Sequence, residues 1–356
     1  MSDASTKHML SAYLERSTAT GFLSGLFQTP PENFYTSEKI EMDVMREDED
    51  VATPLPSLNT GANLNESTKY TNKSYDPAVY NEAVVVNAAD LIKRFPGEHP
   101  FKDPNFAAAL SGYIFNAWRK GENKIKRGAE LQASQVLQTG ALSLTDASGN
   151  VIFSADFQPK ATHLITAPAW SGGVNPLEHL EAAGDVVRQD GKRNPNRLIF
   201  GSTSWSEFLG KTVVQARLNR DGMPLGAIQR PSVRGGGGTF HGMIAIGAYE
   251  YEMWTYTGFY KDPQTGVPTT YIDPEKVVMM CSDARLDMTF GSIPLVAPPD
   301  PRVMGFLPST VSSSELGFAM TTNAWITQDN TSIVASAGAR VLAIPTEIDT
   351  FACLST

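Results

Sequence analysis

The stretch DPNFAAALSGYIFNAWRKGENKIKRGAELQASQVLQTG, Asp103 to Gly140, carries the strongest periodic signal in this chain of 356 residues and decides how the rest is read. Asp103 suits a helix cap and Pro104 the first helical position, where a missing N–H costs nothing. Apolar residues recur at Phe106, Leu110, Tyr113, Ile114, Ala117, Ile125, Ala129 and Val136, a spacing of three or four that builds one face, and Gly140 is a natural terminator. The predicted helix over 104–138 is about 50 Å long. Gly112, Gly121 and Gly128 each weaken it by about 1 kcal/mol relative to alanine and read as bends. Its middle carries Arg119, Lys120, Lys124, Lys126 and Arg127. In the plain reading these make a solvated face; in the sharper one they pair with the acidic run of a neighbouring chain.

Before this helix lies a long segment with little that builds a core. Ser37 to Met45 alternates polar and apolar residues, with Ile40, Met42 and Val44 on one side, and reads as a strand. The acidic run Glu47, Asp48, Glu49 and Asp50 and the polar stretch from Ser57 to Ser74 form an extended loop, a feature usually functional when it interrupts a folded chain. Ala83 to Val86 is the predicted return strand, antiparallel to the first. Such a two-stranded projection is marginal alone and needs an outside surface. Earlier still, Phe22, Leu23, Leu26, Phe27, Phe34 and Tyr35 surround Pro30 and Pro31. A free terminal arm does not carry so much apolar surface, so it is expected to dock on its own body or on a neighbouring subunit.

After the helix, Ser143 to Phe153 reads as a hairpin and the section 160–300 as mixed α/β. Helices are predicted at Pro176 to Val187 and Ser204 to Leu218. Strands are predicted at Arg197 to Phe200, Met243 to Ile246, Glu250 to Thr255 and Lys276 to Met280. Near the end, Ser332 to Ala335 and Ala339 to Ile344 are short strands that return to the sheet laid down before residue 160.

Composition excludes several function classes. The net charge of −9 argues against a protein that coats nucleic acid, because phosphate binding needs clustered Lys and Arg; any nucleic acid is enclosed without being gripped. The two cysteines, Cys281 and Cys353, form no Cys-x-x-Cys pattern, so reduced buried thiols are expected. The first residues lack the apolar core of a signal peptide, and no apolar run reaches the length of a membrane helix; a cytoplasmic protein with no membrane partner is expected. The histidines are scattered and no Gly-x-Ser-x-Gly elbow is present, so no metal, cofactor or catalytic residue is assigned. Leu198 to Gly201 followed by Gly210-Lys211-Thr212 is the nearest approach to a phosphate loop. Trp205 occupies its required first-glycine position, and Gly210-Lys211-Thr212 is expected inside a helix. Gly235 to Gly238 reads as a flexible loop, with an anion cradle as the alternative. The aromatics from Tyr249 to Tyr260 read as core or interface.

Taken in order, several pieces carry a resemblance. They are Phe22-Leu23-Ser24-Gly25-Leu26-Phe27, Tyr35-Thr36-Ser37-Glu38-Lys39-Ile40, the helix end Ala133 to Gly140, the hairpin closing on Phe153 to Phe157, Tyr271 to Met279, and Ala284 to Gly291. Over about residues 22–296 this sequence resembles the lambda-like tailed-phage major capsid proteins, the phage E-protein family. The resemblance implies the α+β Hong Kong 97 capsid fold: an N-terminal arm (1–37), an extended E-loop (38–88), a peripheral domain with a long spine helix (89–160), an axial α/β domain (161–300) and a return to the peripheral domain (301–356). It implies a non-enzymatic chain that assembles as hexamers and pentamers into an icosahedral head around double-stranded DNA. Scaffold, portal and decoration proteins are the implied partners, and the virion, assembled in the host cytoplasm, the implied location. The residues expected between subunits are Phe22, Leu23, Leu26, Phe27, Glu47, Asp48, Glu49, Asp50, Arg119, Lys120, Lys124, Lys126 and Arg127. Glu47 to Asp50 and the four-glycine run have no counterpart in the family pattern. Two alternatives stay open, a nanocompartment shell of the same fold and a nucleotide-binding enzyme built on Gly210-Lys211-Thr212.

Overall fold

The structure is a computed structural model that describes residues 19, 21–35, 37–45, 70–87, 106–146, 148–220, 232–233, 237–293 and 320–356. In chain order the strands are β1 (Ile40–Met45), β2 (Tyr70–Tyr75), β3 (Val79–Asn87), β4 (Ala141–Thr145), β5 (Val151–Asp156), β6 (Leu164–Thr166), β7 (Arg197–Phe200), β8 (Ser232–Val233), β9 (Gly238–Ile246), β10 (Tyr249–Tyr256), β11 (Phe259–Lys261), β12 (Pro268–Thr270), β13 (Lys276–Met280), β14 (Asp287–Gly291), β15 (Thr321–Ile326), β16 (Ser332–Ile344) and β17 (Phe351–Ser355). The helices are α1 (Phe106–Thr139), α2 (Pro176–Gly191), α3 (Ser202–Gly210) and α4 (Thr212–Arg220).

Helix α1 buries Leu110, Ile114, Ala117, Ile125, Ala129 and Val136, the face its periodicity predicts. It stops where expected: Gly140 has φ +63°, its N–H donates to the Val136 carbonyl at 2.8 Å, and a Cβ there would strike Pro159. Asp103 and Pro104 lie outside the described residues. Two of the helix glycines are points of close approach: a Cβ on Gly121 would lie 2.7 Å from the Ala337 Cβ, and one on Gly128 3.0 Å from the Tyr80 ring. Close packing against β16 and β3 thus accounts for both.

The sheet under α1 is built on β16. Strand β3 pairs antiparallel along one side of it, from Val79↔Arg340 to Asn87↔Ser332, while β14 and β15 share the other side. The predicted pairing of the first projecting strand with Ala83 to Val86 is therefore corrected. β1 pairs with β2, from Ile40↔Tyr75 to Met45↔Tyr70, inside the stretch read as loop. The physical reason is burial. Val84 and Val86 turn into the core around α1, so the more apolar strand goes to the larger sheet. The polar Tyr70–Tyr75 is enough for a two-stranded projection that has no core of its own.

A second core forms on one side of a mixed seven-stranded sheet ordered β6-β17-β13-β7-β10-β9-β8. Leu180, Ala183 and Val187 of α2, Phe208 of α3, and Val214 and Leu218 of α4 pack against Leu198, Tyr251, Val277 and Leu354. The single helix predicted over Ser204 to Leu218 is two, broken at Lys211, whose backbone is extended at φ −80° and ψ 128°. Gly210-Lys211-Thr212 thus spans the junction of two helices and is not inside one.

Two strands also cross the expected division of the chain. β14, in the range expected to be axial, joins the sheet under α1, and β17, expected to return there, joins the seven-stranded sheet between β13 and β6. Strand β17 buries Ala352 and Leu354 in one core and Phe351 and Cys353 in the other, a place where only an apolar strand fits.

Candidate assembly surfaces

The N-terminal arm is the first candidate surface, and it is seated on its own chain. Phe22, Leu23 and Phe27 are buried, and Leu26 packs half-buried against the same core. Phe22 lies on Trp254 and Tyr256, with ring centroids 5.5 and 5.1 Å apart. Its seat exists because Gly238 has no side chain; a Cβ there would come within 2.2 Å of the Phe22 ring. The glycine run that sequence read as a plain loop thus ends in a packing residue. The backbone N–H groups of Leu23 and Ser24 donate to the two carboxylate oxygens of Glu130, each at 2.8 Å. Beyond Phe27 the arm follows β14: Gln28 N–H donates to Leu286 O at 2.7 Å, Tyr35 N–H to Phe290 O at 2.8 Å, and Phe34 stacks on Phe290. This covers a sheet edge that would otherwise present unpaired backbone groups. Phe22, Leu23, Leu26 and Phe27 thus make contacts within their own subunit, one of the two placements expected for the arm.

Sequence reasoning missed the residues that organise this region. On the buried side of α1, Glu130 holds the arm and Gln132 holds β16, donating to Val341 O and accepting from Ala343 N–H, both at 3.1 Å. Ser134 and Gln138 donate to Tyr271 O, and Gln138 Oε1 accepts from Asp273 N–H at 3.0 Å. The signal was present in the sequence: polar residues at 130, 134 and 138 recur every four positions within an apolar face, and a buried polar stripe must find partners.

The β1–β2 projection is the second candidate. Its base is tied to β16 by Arg340, whose Nη1 donates to the Glu38 carbonyl at 3.1 Å and lies 3.4 Å from Asp76 Oδ1. At the other side of the base Tyr75 packs on Phe157, and Lys73 donates to Asp156 O at 3.3 Å. Glu47, Asp48, Glu49 and Asp50 lie outside the described residues.

The basic cluster on α1 is the third. Lys124 pairs with Glu82 and Lys126 with Glu122, each at 2.6 Å, within the same chain. Arg119 donates to Asn116 Oδ1 at 2.7 Å. Arg119 and Lys120 are exposed neighbours with no carboxylate partner among the described residues, while Arg127 is half-buried.

The enzyme alternative fails on geometry. A phosphate needs donors where a strand meets a helix. At the β7–α3 junction the N–H groups of Thr203 and Ser204 are already taken by Pro274 O, at 3.0 and 2.9 Å. A Cβ on Gly201 would lie 2.3 Å from the Asp273 carbonyl, and the Lys211 amine donates to Gly172 O. Among the described residues no group of three or more His, Cys, Asp or Glu side chains is placed to hold a metal, and no helix is long and apolar enough to cross a membrane. Of the histidines, His163 is fully buried, with Nε2 3.0 Å from Asp190 and Nδ1 2.7 Å from Phe351 O, and His179 accepts from the Trp170 indole at 3.2 Å. Burial pushes both cysteine thiols up to about 12, so they stay protonated.

Comparison with known proteins agrees with this geometry. The family described as phage major capsid protein E matches residues 5–352. No curated protein matches the sequence. Among solved structures, the crystal structure of a prophage protein of E. coli CFT073, assigned there as a capsid protein, superposes with a TM-score of 0.62 at 15% identity, covering 95% of this chain and 93% of that one. A structure from Mycobacterium phage Che8 gives a TM-score of 0.51 at 9% identity, covering 98% of this chain and 96% of that one. The fold is thus the Hong Kong 97 type, and family and fold alike are those of structural proteins, not enzymes. From a match that runs almost end to end, this chain belongs to the phage major capsid protein E family: it is a tailed-phage major capsid protein, a virion component whose copies assemble into a shell.

Proposed function

We propose that copies of this chain assemble as hexamers and pentamers into an icosahedral head enclosing a double-stranded DNA genome, in the host cytoplasm and with scaffold, portal and decoration proteins as partners. The observation that carries this is the β1–β2 projection. It is a two-stranded sheet whose described contacts with the body lie at its base, in a chain matched by the capsid family over 5–352, and such a ribbon needs an outside surface to lie on. We assign residues 38–88 to the extended loop apart from β3, 89–160 to the peripheral domain, and 161–300 to the axial domain apart from β14. Residues 301–356 return to the peripheral domain apart from β17. The net charge of −9 fits a wall that encloses DNA without gripping it.

In this reading Glu47, Asp48, Glu49 and Asp50 approach the basic helix face of a neighbouring copy. Arg119 and Lys120 are the favoured partners, because Lys124 and Lys126 already hold carboxylates of their own chain. Charge reversal at Glu47 and Asp48 is expected to weaken the shell, more at low salt than at high. Unchanged assembly in both conditions removes the pairing.

Electron microscopy of the purified chain, alone and with scaffold protein, tests the whole reading. Closed angular shells or rings of five and six are expected. Absence of either with scaffold present ends it, and particles holding an enzyme in place of DNA favour the nanocompartment.

A further inference from the structure

We propose that the paired hairpins β4–β5 and β11–β12 form a contact surface for a second copy of this chain; the inference rests on the shell reading above. The four most exposed large hydrophobic side chains among the described residues all lie here: Phe259 at 67% exposure, Ile152 at 63%, Val151 at 60% and Val267 at 57%. The two hairpins are joined. The Gln264 side-chain amide donates to Thr145 Oγ1 at 3.0 Å, and Thr145 is the register partner of Val151. Both are also fixed at their inner ends, β4–β5 by buried Leu142, Leu144 and Ala155, and β11–β12 by Tyr260 packed on Tyr271. Exposed ends thus project from a firm base.

Three physical points select another copy as the occupant. Consecutive residues of a strand face opposite ways, so Val151 and Ile152 make both faces of the β5 ribbon apolar, and burying both needs surface on two sides. The chain carries a net charge of −9, so like copies repel on average and meet best where charge is sparse. At these hairpin ends Asp146 accepts from the Ser148 and Asn150 N–H groups, and Asp262 from the Gln264 and Thr265 N–H groups, so both carboxylates are turned into their own turns. These four side chains, each more than half exposed, make the kind of apolar patch that marks an interaction site on a monomer. One such patch is too small to hold a stable pair by itself. In a closed head-to-tail ring each copy presents it to a different surface of one neighbour, where it adds to the other contacts of the ring.

Labelling of a reporter cysteine tests this, because the native thiols are buried. In an Ile152→Cys chain, maleimide is expected to react at least tenfold more slowly in assembled shells than in the dissociated chain. Equal rates overturn the proposal. Independently, Ile152→Asp with Phe259→Asp is expected to unfold at the wild-type temperature yet form no shells. Shells at wild-type yield from this variant overturn the proposal while leaving the shell reading intact. If the double variant fails to fold, the labelling ratio decides. Failure of the wild-type chain to assemble, alone or with the other proteins of its particle, removes the shell reading and this inference with it.

Discussion

The N-terminal arm and the paired hairpins are both apolar extensions, and they end in opposite environments. The arm buries Phe22, Leu23 and Phe27 on its own chain, while the hairpins leave Val151, Ile152, Phe259 and Val267 in solvent. What separates them is the receiving surface. The arm meets a glycine that admits its ring, a carboxylate that accepts its amides and an open sheet edge that needs covering. Among the described residues the hairpins meet each other through one side-chain hydrogen bond, and nothing covers their ends. Apolar content says that an extension must be buried; only a receiving site within the chain says that it is buried there.

Truncation probes this contrast most strongly. Leu23→Ala, at a buried position, is expected to lower the unfolding free energy of the unassembled chain by about 2–5 kcal/mol, and Ile152→Ala by no more than about 0.5 kcal/mol. Denaturant titration of the two variants checks this, and equal losses would erase the distinction. Next in size is Glu130→Gln, which turns an amide NH₂ toward one of the two arm N–H groups. A cost of about 1–3 kcal/mol is expected, together with new protease cleavage between Gly21 and Phe27 and none at the hairpins.

A pH titration acts on the root of the β4–β5 hairpin instead of on the arm. Lys160, just after β5, pairs with Asp190 at 2.5 Å, and His163 approaches the same carboxylate at 3.0 Å. Burial pushes Asp190 up, but the hydrogen bonds from Lys160 and His163 outweigh it and hold its carboxyl below the ordinary range. Because the folded value lies below the unfolded one, this stabilisation is complete above about pH 4 and is lost as pH falls through the folded value. Asp190→Asn is expected to remove that part of the acid limb in thermal melts from pH 2 to 6. The smallest effect concerns the native thiols. With both held up to about 12, Cys281 and Cys353 are expected to resist alkylation at pH 8 until the chain unfolds, in contrast to a cysteine placed at 152. Fast native labelling would mean that the core opens more readily than the hairpin contrast allows.

Much of the fold was legible because it rests on local periodicity. The spacing from Leu110 to Val136 marked α1, Gly140 marked its end, and Arg197–Phe200 and Lys276–Met280 are strands at the predicted limits. The partner of β1 was not legible, since a polar ribbon such as Tyr70–Tyr75 pairs through its backbone and leaves little trace in side-chain pattern. Nor was the break at Lys211, where the apolar spacing continues through the bend. At the candidate surfaces, the apolar arm and the basic helix face stood out by residue type. The groups that fix them did not, because Glu130, Gln132 and Arg340 act through single hydrogen bonds to residues distant in sequence.

By itself the sequence determined that the chain has a long amphipathic helix, an apolar arm, a coreless polar projection and a net negative charge. These follow from composition and from periods of two and 3.6 residues, which belong to a segment wherever it lies. Tertiary structure alone decided that the arm closes on its own subunit, that β14 and β17 each join the sheet opposite to the one expected, and that the hairpin ends stay exposed. Those outcomes depend on which surfaces come within contact distance, and a distance between residues far apart in the chain is not a property of either residue.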